Sequence, residues 1–79
     1  SAASPETRIL QEDEKRTVQR IVANLPEKFR MPIHLYYSAD MSIREIAEIL
    51  KVPEGTVKSR MNKAKSLLKK ELEALGYDR

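Results

Sequence analysis

Between Ser42 and Lys70 the chain reads SIREIAEILKVPEGTVKSRMNKAKSLLKK, and its apolar residues recur at threes and fours in two blocks separated by three residues. In the first block Ile43, Ile46, Ala47 and Leu50 form an i, i+3, i+4, i+7 stripe. Ser42 stands before it as an N-cap, and Glu45 three residues later closes a capping box. The stripe ends near Leu50, Lys51 to Pro53 make a turn, and a new helix is expected to start at Pro53 or Glu54. A turn this short forces the two helices to cross, which is a helix-turn-helix. The second of them is expected to continue to Leu75, with Gly76 as its C-terminal stop. Gly55 in its first turn keeps the backbone open to close approach.

Upstream the same period predicts two more helices, so the fold class is all-α with four helices. Pro5 and Glu6 suit a first turn, and Leu10, Thr17, Val18, Ile21, Val22 and Leu25 carry the pattern to about Asn24. Glu12, Asp13 and Glu14 are expected to face away from that stripe as a solvated surface rather than a partner-binding patch. Pro26 suits the first position of the second helix, along which Phe29, Ile33, Tyr36 and Tyr37 line one side. Those rings read as core or half-buried packing rather than a platform for stacking bases, and His34 as a rim residue. Pro32 removes a backbone bond, so this helix should kink near Lys28 or begin only around Met31, ending near Ser38. Residues 1–4 read as a loose lead-in or linker remnant and residues 5–79 as one domain.

A chain of 79 residues has room for a small helical core and little for a catalytic cleft. It has no cysteine and a single histidine, so no thiolate metal site or disulfide framework is expected, and no metal or cofactor. No nucleophile, base and orienting group can be placed together, which makes an enzyme the poorest fit. No apolar run approaches the roughly 20 residues of a membrane span, and SAASPET lacks the start of a signal peptide. The expectation is a soluble, cytoplasmic protein with no membrane partner. Charged residues make up 34%, which suits a helical domain with wide solvated faces.

The distribution of that charge changes the picture. Six of the fifteen Lys and Arg lie between Thr56 and Lys70 (Lys58, Arg60, Lys63, Lys65, Lys69, Lys70) with no acidic residue among them. The remaining nine face all twelve Asp and Glu. A basic rod on a mildly acidic body implies a polyanion, and the crossed helices suggest duplex DNA. Turning about 100° per residue from Val57 places Val57, Met61, Ala64, Leu68, Leu72 and Leu75 on one buried stripe. Ser59, Asn62, Lys63 and Ser66 fall opposite, with Lys58 and Lys65 along one edge of the stripe and Arg60 along the other. In a helix docked N-terminus first into a major groove, the face opposite the core meets base edges and the flanks meet phosphates. The candidate base contacts are therefore Lys58, Ser59, Asn62 and Lys63. The candidate phosphate contacts are Arg60 and Lys65, joined by Thr56, Ser42 and Arg44 near the helix starts. Lys69 and Lys70 read as a solvated end beyond the groove. A membrane-surface helix or a solubilising face would also be basic, but neither explains the short capped helix, the three-residue turn, and Gly55, Thr56, Ser59 and Asn62 where a groove needs small polar groups.

The segments LPEKFRMPIHLYY, MSIREIAEIL and VPEGTVKSR with MNKAK, in that order over about residues 25–70, resemble region 4 of the extracytoplasmic-function group of bacterial sigma factors. The resemblance implies a four-helix domain whose last helix reads the minus-35 promoter element and which docks on the flap of the RNA polymerase beta subunit. It also implies a possible anti-sigma partner, a working state as a monomer, and a chain excised from a longer protein carrying a promoter-melting domain. The family's base-contacting positions fall on Lys58, Ser59, Asn62 and Lys63, and its phosphate-contacting positions on Ile43, Arg44, Thr56 and Arg60. Three departures stand out. Asp40 occupies a position usually held by Gly. Ile43 stands where an aromatic is common, which leaves Arg44 to replace that contact. Lys63 and Lys65 stand where R-x-R is frequent, and lysine lacks the two-pronged contact with guanine, so the preferred bases should differ. The alternatives are a response-regulator output domain, which would act as a dimer on paired half-sites, and a protein-interaction module whose basic helix binds an acidic partner.

Overall fold

The computed structural model describes residues 12–77, which form α1 (Glu12–Ala23), α2 (Glu27–Tyr37), α3 (Ile43–Leu50) and α4 (Glu54–Ala74). Among the described residues there is no strand, and the fold is the expected all-α, four-helix arrangement. The expected start of the first helix at Pro5, its residue Leu10, and the lead-in at residues 1–4 lie outside the described residues.

The capping box of α3 is present as read: the Glu45 N–H donates to Ser42 Oγ at 3.1 Å, and the Ser42 N–H donates to Glu45 Oε1 at 2.9 Å. The Ser42 backbone and side-chain bonds both favour the ionised carboxylate, so the Glu45 pKa is lowered. The contribution of this carboxylate to stability is therefore complete above its unfolded pKa and disappears as the pH falls through the lower folded value. Ser42→Ala is expected to cost about 1 kcal/mol in denaturant melts near neutral pH. That difference should shrink in acid, as the pH falls through the lowered pKa of Glu45 and its half of the box weakens in both proteins. A difference that stays constant down to pH 3 would show that the box does not act as a unit.

The turn after α3 is closed by Lys51 in the left-handed conformation (φ 59°, ψ 47°). The Lys51 and Val52 N–H groups both return to the Ala47 carbonyl, the latter at 3.0 Å. Pro53 then precedes α4, and its carbonyl accepts from the N–H groups of Thr56 (3.0 Å) and Val57 (3.2 Å). At the far end Gly76 (φ 91°) stops the helix as expected. Its N–H donates to the Glu73 carbonyl and that of Tyr77 to the Leu72 carbonyl, a Schellman closure. Asp40, where the resemblance usually has Gly, holds the left-handed φ of 59° without one, and Met41 N–H bonds back to the Leu35 carbonyl at 3.1 Å.

α4 is the axis, packing against each of the other three helices, while α2 also touches α3. The core is Ile46 and Ala47 of α3 against Val57 and Met61 of α4, with Ile33, Leu35, Met41, Ile43, Leu50 and Val52 packed around it. Burial thus fixes the crossing of α3 and α4, and with it the face that α4 turns outward.

Four expectations need correction. Glu14 is buried, 5% exposed, with Thr17 and Ile21, whereas Glu12 and Asp13 face solvent. On a helical wheel Glu14 falls within the arc spanned by Thr17, Ile21, Leu25 and Val22, so its burial follows from the period itself. Tyr36 and Tyr37 are exposed, at 39% and 61%, because the wheel gives direction but not depth and α2 ends at the rim; Phe29 is half-buried. α2 does not start late: it runs unbroken from Glu27, with Pro26 as the residue before it, and encloses Pro32 as its buried contact. Leu75 is 56% exposed at the cap position, past the packed length of the α4 stripe.

Candidate nucleic-acid interface

With Val57, Met61 and Ala64 buried, the opposite side of α4 is bare. Lys58, Ser59, Asn62 and Lys63, the expected base readers, are all exposed, as are Lys65 and Ser66. Thr56 and Arg60 are half-buried at the flanks, the position of groups that reach sideways rather than outward. Small side chains at Ser59 and Ser66 keep this surface low between the longer Asn62 and lysine side chains, as an object entering a groove about 12 Å wide requires.

The start of α4 adds a second feature. Pro53 provides no side-chain cap, so no side-chain oxygen closes the first turn, where the Thr56 N–H donates to the Pro53 carbonyl. A Cβ at Gly55 would meet nothing within 4 Å, so packing among the described residues does not require glycine there. Glycine in a helix costs up to about 1 kcal/mol relative to alanine, and an open approach for an outside partner is what it can provide.

Ser42 and Arg44 lie exposed at the start of α3. Arg44 Nε is 3.8 Å from Glu48 Oε2, with both side chains mostly in solvent (80% and 69% exposed), a loose pair that leaves the guanidinium free to swing to a phosphate. Arg44 and Lys51 border a shallow depression over the turn, floored by Ala47 and Val52. Ile43, a phosphate-contacting position by resemblance, is half-buried against the core and carries no donor on its side chain.

Lys58, Asn62 and Lys65 share one recess with Tyr36 and Tyr37 of α2. The helical spacing of Tyr36 and Tyr37 reads as core or half-buried packing and so does not point to this recess. Their signal was adjacency: two rings at successive positions are about 100° apart on a helix, too far for both to point into one core.

Among the described residues no group of three or more His, Cys, Asp or Glu is placed to hold a metal ion, and no helix is long and apolar enough to cross a membrane.

A crossed helix pair with an exposed basic second helix is a helix-turn-helix of the DNA-binding kind. Residues 15–68 match the family described as sigma-70, region 4, and the chain belongs to that family. Among curated relatives it is similar to the ECF RNA polymerase sigma factor SigW of Bacillus subtilis, 38% identical over 71 residues, covering 90% of this chain and 38% of that protein. It is likewise similar to the ECF RNA polymerase sigma-E factors of Escherichia coli and Salmonella typhimurium. Each is 36% identical over 73 residues, covering 92% of this chain and 38% of the relative. The chain thus spans well under half the length of these relatives.

Proposed function

We propose that this domain is the promoter-reading module of a sigma factor, with residues 5–79 as one unit and no catalysis of its own. α4 enters the major groove of the minus-35 element. Lys58, Ser59, Asn62 and Lys63 face base edges, while Ser42, Arg44, Thr56, Arg60 and Lys65 meet phosphates. The observation that carries this reading is the bare cationic side of α4 directly opposite the buried Val57, Met61 and Ala64.

The partners are promoter duplex and the beta-subunit flap of core RNA polymerase, in the cytoplasm, with the domain acting as a monomer and an anti-sigma factor as its natural antagonist. A single module of this size binds DNA weakly. Its strength comes from tethering within polymerase, because a second linked contact raises the effective concentration without new bonds at α4.

Two substitutions test the face assignment on a panel of duplexes with single base-pair changes. Lys63→Ala should cost about 1–3 kcal/mol on the best site and relax preference at one base pair, whereas Lys65→Ala should weaken every sequence about equally. Equal and uniform losses from both would show that α4 presents a different side. A domain that binds no duplex at low salt would point to the protein-interaction alternative.

A further inference from the structure

The flank of α4 that carries Lys58 and Lys65 is walled by the last turn of α2. There Tyr36 and Tyr37 stand edge to face, ring centroids 4.9 Å apart and planes at 76°, with Tyr37 the more exposed at 61%. The two rings, Lys58, Asn62 and Lys65 line an open recess of about 270 Å³ together with the apolar side chains of Ile43 and Met61. No carboxylate lines it. Its charged groups are two ammoniums, and its neutral ones are an amide and two phenols, all able to donate. Arg60 on the other flank and Lys63 on the outward face are not part of this enclosure.

We infer that this recess grips the sugar-phosphate backbone of one DNA strand, with Tyr36 and Tyr37 as positioning residues. Their hydroxyls donate to phosphate oxygens whose charge is met by Lys58 and Lys65, and the edge-to-face ring contact fixes the direction in which the hydroxyls point. The inference rests on the DNA-binding reading above and extends it by bringing α2 into the interface and making the grip on the two strands unequal. Continuity with the exposed face of α4, together with polar lining groups that can all donate and no carboxylate among them, selects a nucleic-acid backbone as the occupant rather than an apolar peptide. Lys58 then works from the side of the groove as well as toward its floor.

The test uses the double variant Y36F/Y37F, which keeps both rings and removes only the hydroxyls. Binding to the best duplex and to single-substitution duplexes is followed by fluorescence anisotropy between 50 and 300 mM salt, with K65A in parallel. Loss of two charge-assisted hydrogen bonds should weaken the double variant about 5- to 20-fold on every sequence. The slope against log salt should not change, because a neutral hydroxyl releases no counterion, whereas K65A should flatten that slope by about one. Parent-like binding by Y36F/Y37F beside a weakened K65A would overturn the role of the tyrosines and leave the DNA reading standing. A loss confined to one base pair would overturn it too, by making the tyrosines base readers. If the parent itself binds no duplex at 50 mM salt, it is the DNA reading that fails. Should the double variant not fold, Tyr37→Phe alone, at the more exposed ring, repeats the comparison with a smaller expected loss of about 3-fold.

Discussion

Ile46→Ala is expected to lower the melting midpoint of this domain by roughly 10–30 °C, the consequence of losing about 2–5 kcal/mol. Ile46 is fully buried, and it packs where α3 and α4 cross, against Ala47, Val57 and Met61. Truncating it removes apolar contact and leaves a cavity that two capped helices joined by a three-residue turn cannot readily close. A single core of this size rarely supplies more than about 3–5 kcal/mol, so the loss is comparable to the whole stability of the domain. DNA binding should then fall with the folded fraction, since this core fixes the crossing of α3 and α4 at which α4 is presented. Ile49 is the control. It lies on the same helix three residues on and is 57% exposed, so Ile49→Ala should change stability by less than about 0.5 kcal/mol. Thermal melts followed by circular dichroism decide the matter, and similar midpoints for the two variants would show that the crossing is not packed as described.

The part of this structure that was legible in the sequence is the part held by local rules. A Ser and a Glu three residues apart define the start of α3 through hydrogen bonds between near neighbours, and they do so whatever the rest of the chain does. Gly76 stops α4 for an equally local reason. The outward face of α4 follows from periodicity once the apolar stripe of Val57, Met61 and Ala64 is identified. The turn needed one feature that composition does not announce: Lys51 adopts a left-handed conformation that glycine would take at lower cost, because two N–H groups converge on the Ala47 carbonyl there.

Depth of burial was not legible in the same way, since it depends on which neighbour covers each face. The charge of Glu14 suggests a solvated position, but its phase on α1 buries it. The apolar rings of Tyr36 and Tyr37 suggest packing, yet they end α2 exposed and beside the lysines of α4. Leu75 lies at the cap of α4, where partner helices no longer cover it. These errors bear on function unequally. The exposure of Leu75 leaves the interface as it was, whereas that of the two tyrosines adds a wall to it.

Salt should act on DNA binding more strongly than any single substitution at the interface. Five cations, Arg44, Lys58, Arg60, Lys63 and Lys65, are positioned to meet phosphates or the groove between them. All lie at the surface apart from the half-buried Arg60. Bringing about five cations against the duplex displaces about as many condensed counterions, so raising salt from 50 to 200 mM should weaken binding by about two to three orders of magnitude. The neutral base contacts of Ser59 and Asn62 contribute little to this dependence, which separates the electrostatic role of α4 from part of its choice of sequence. The dissociation constant of the domain for a short duplex across that salt range is therefore the most direct test that the cationic side of α4 meets DNA. A plot of log K against log salt with a slope near −4 to −5 is the expected result, and a slope near zero would contradict it.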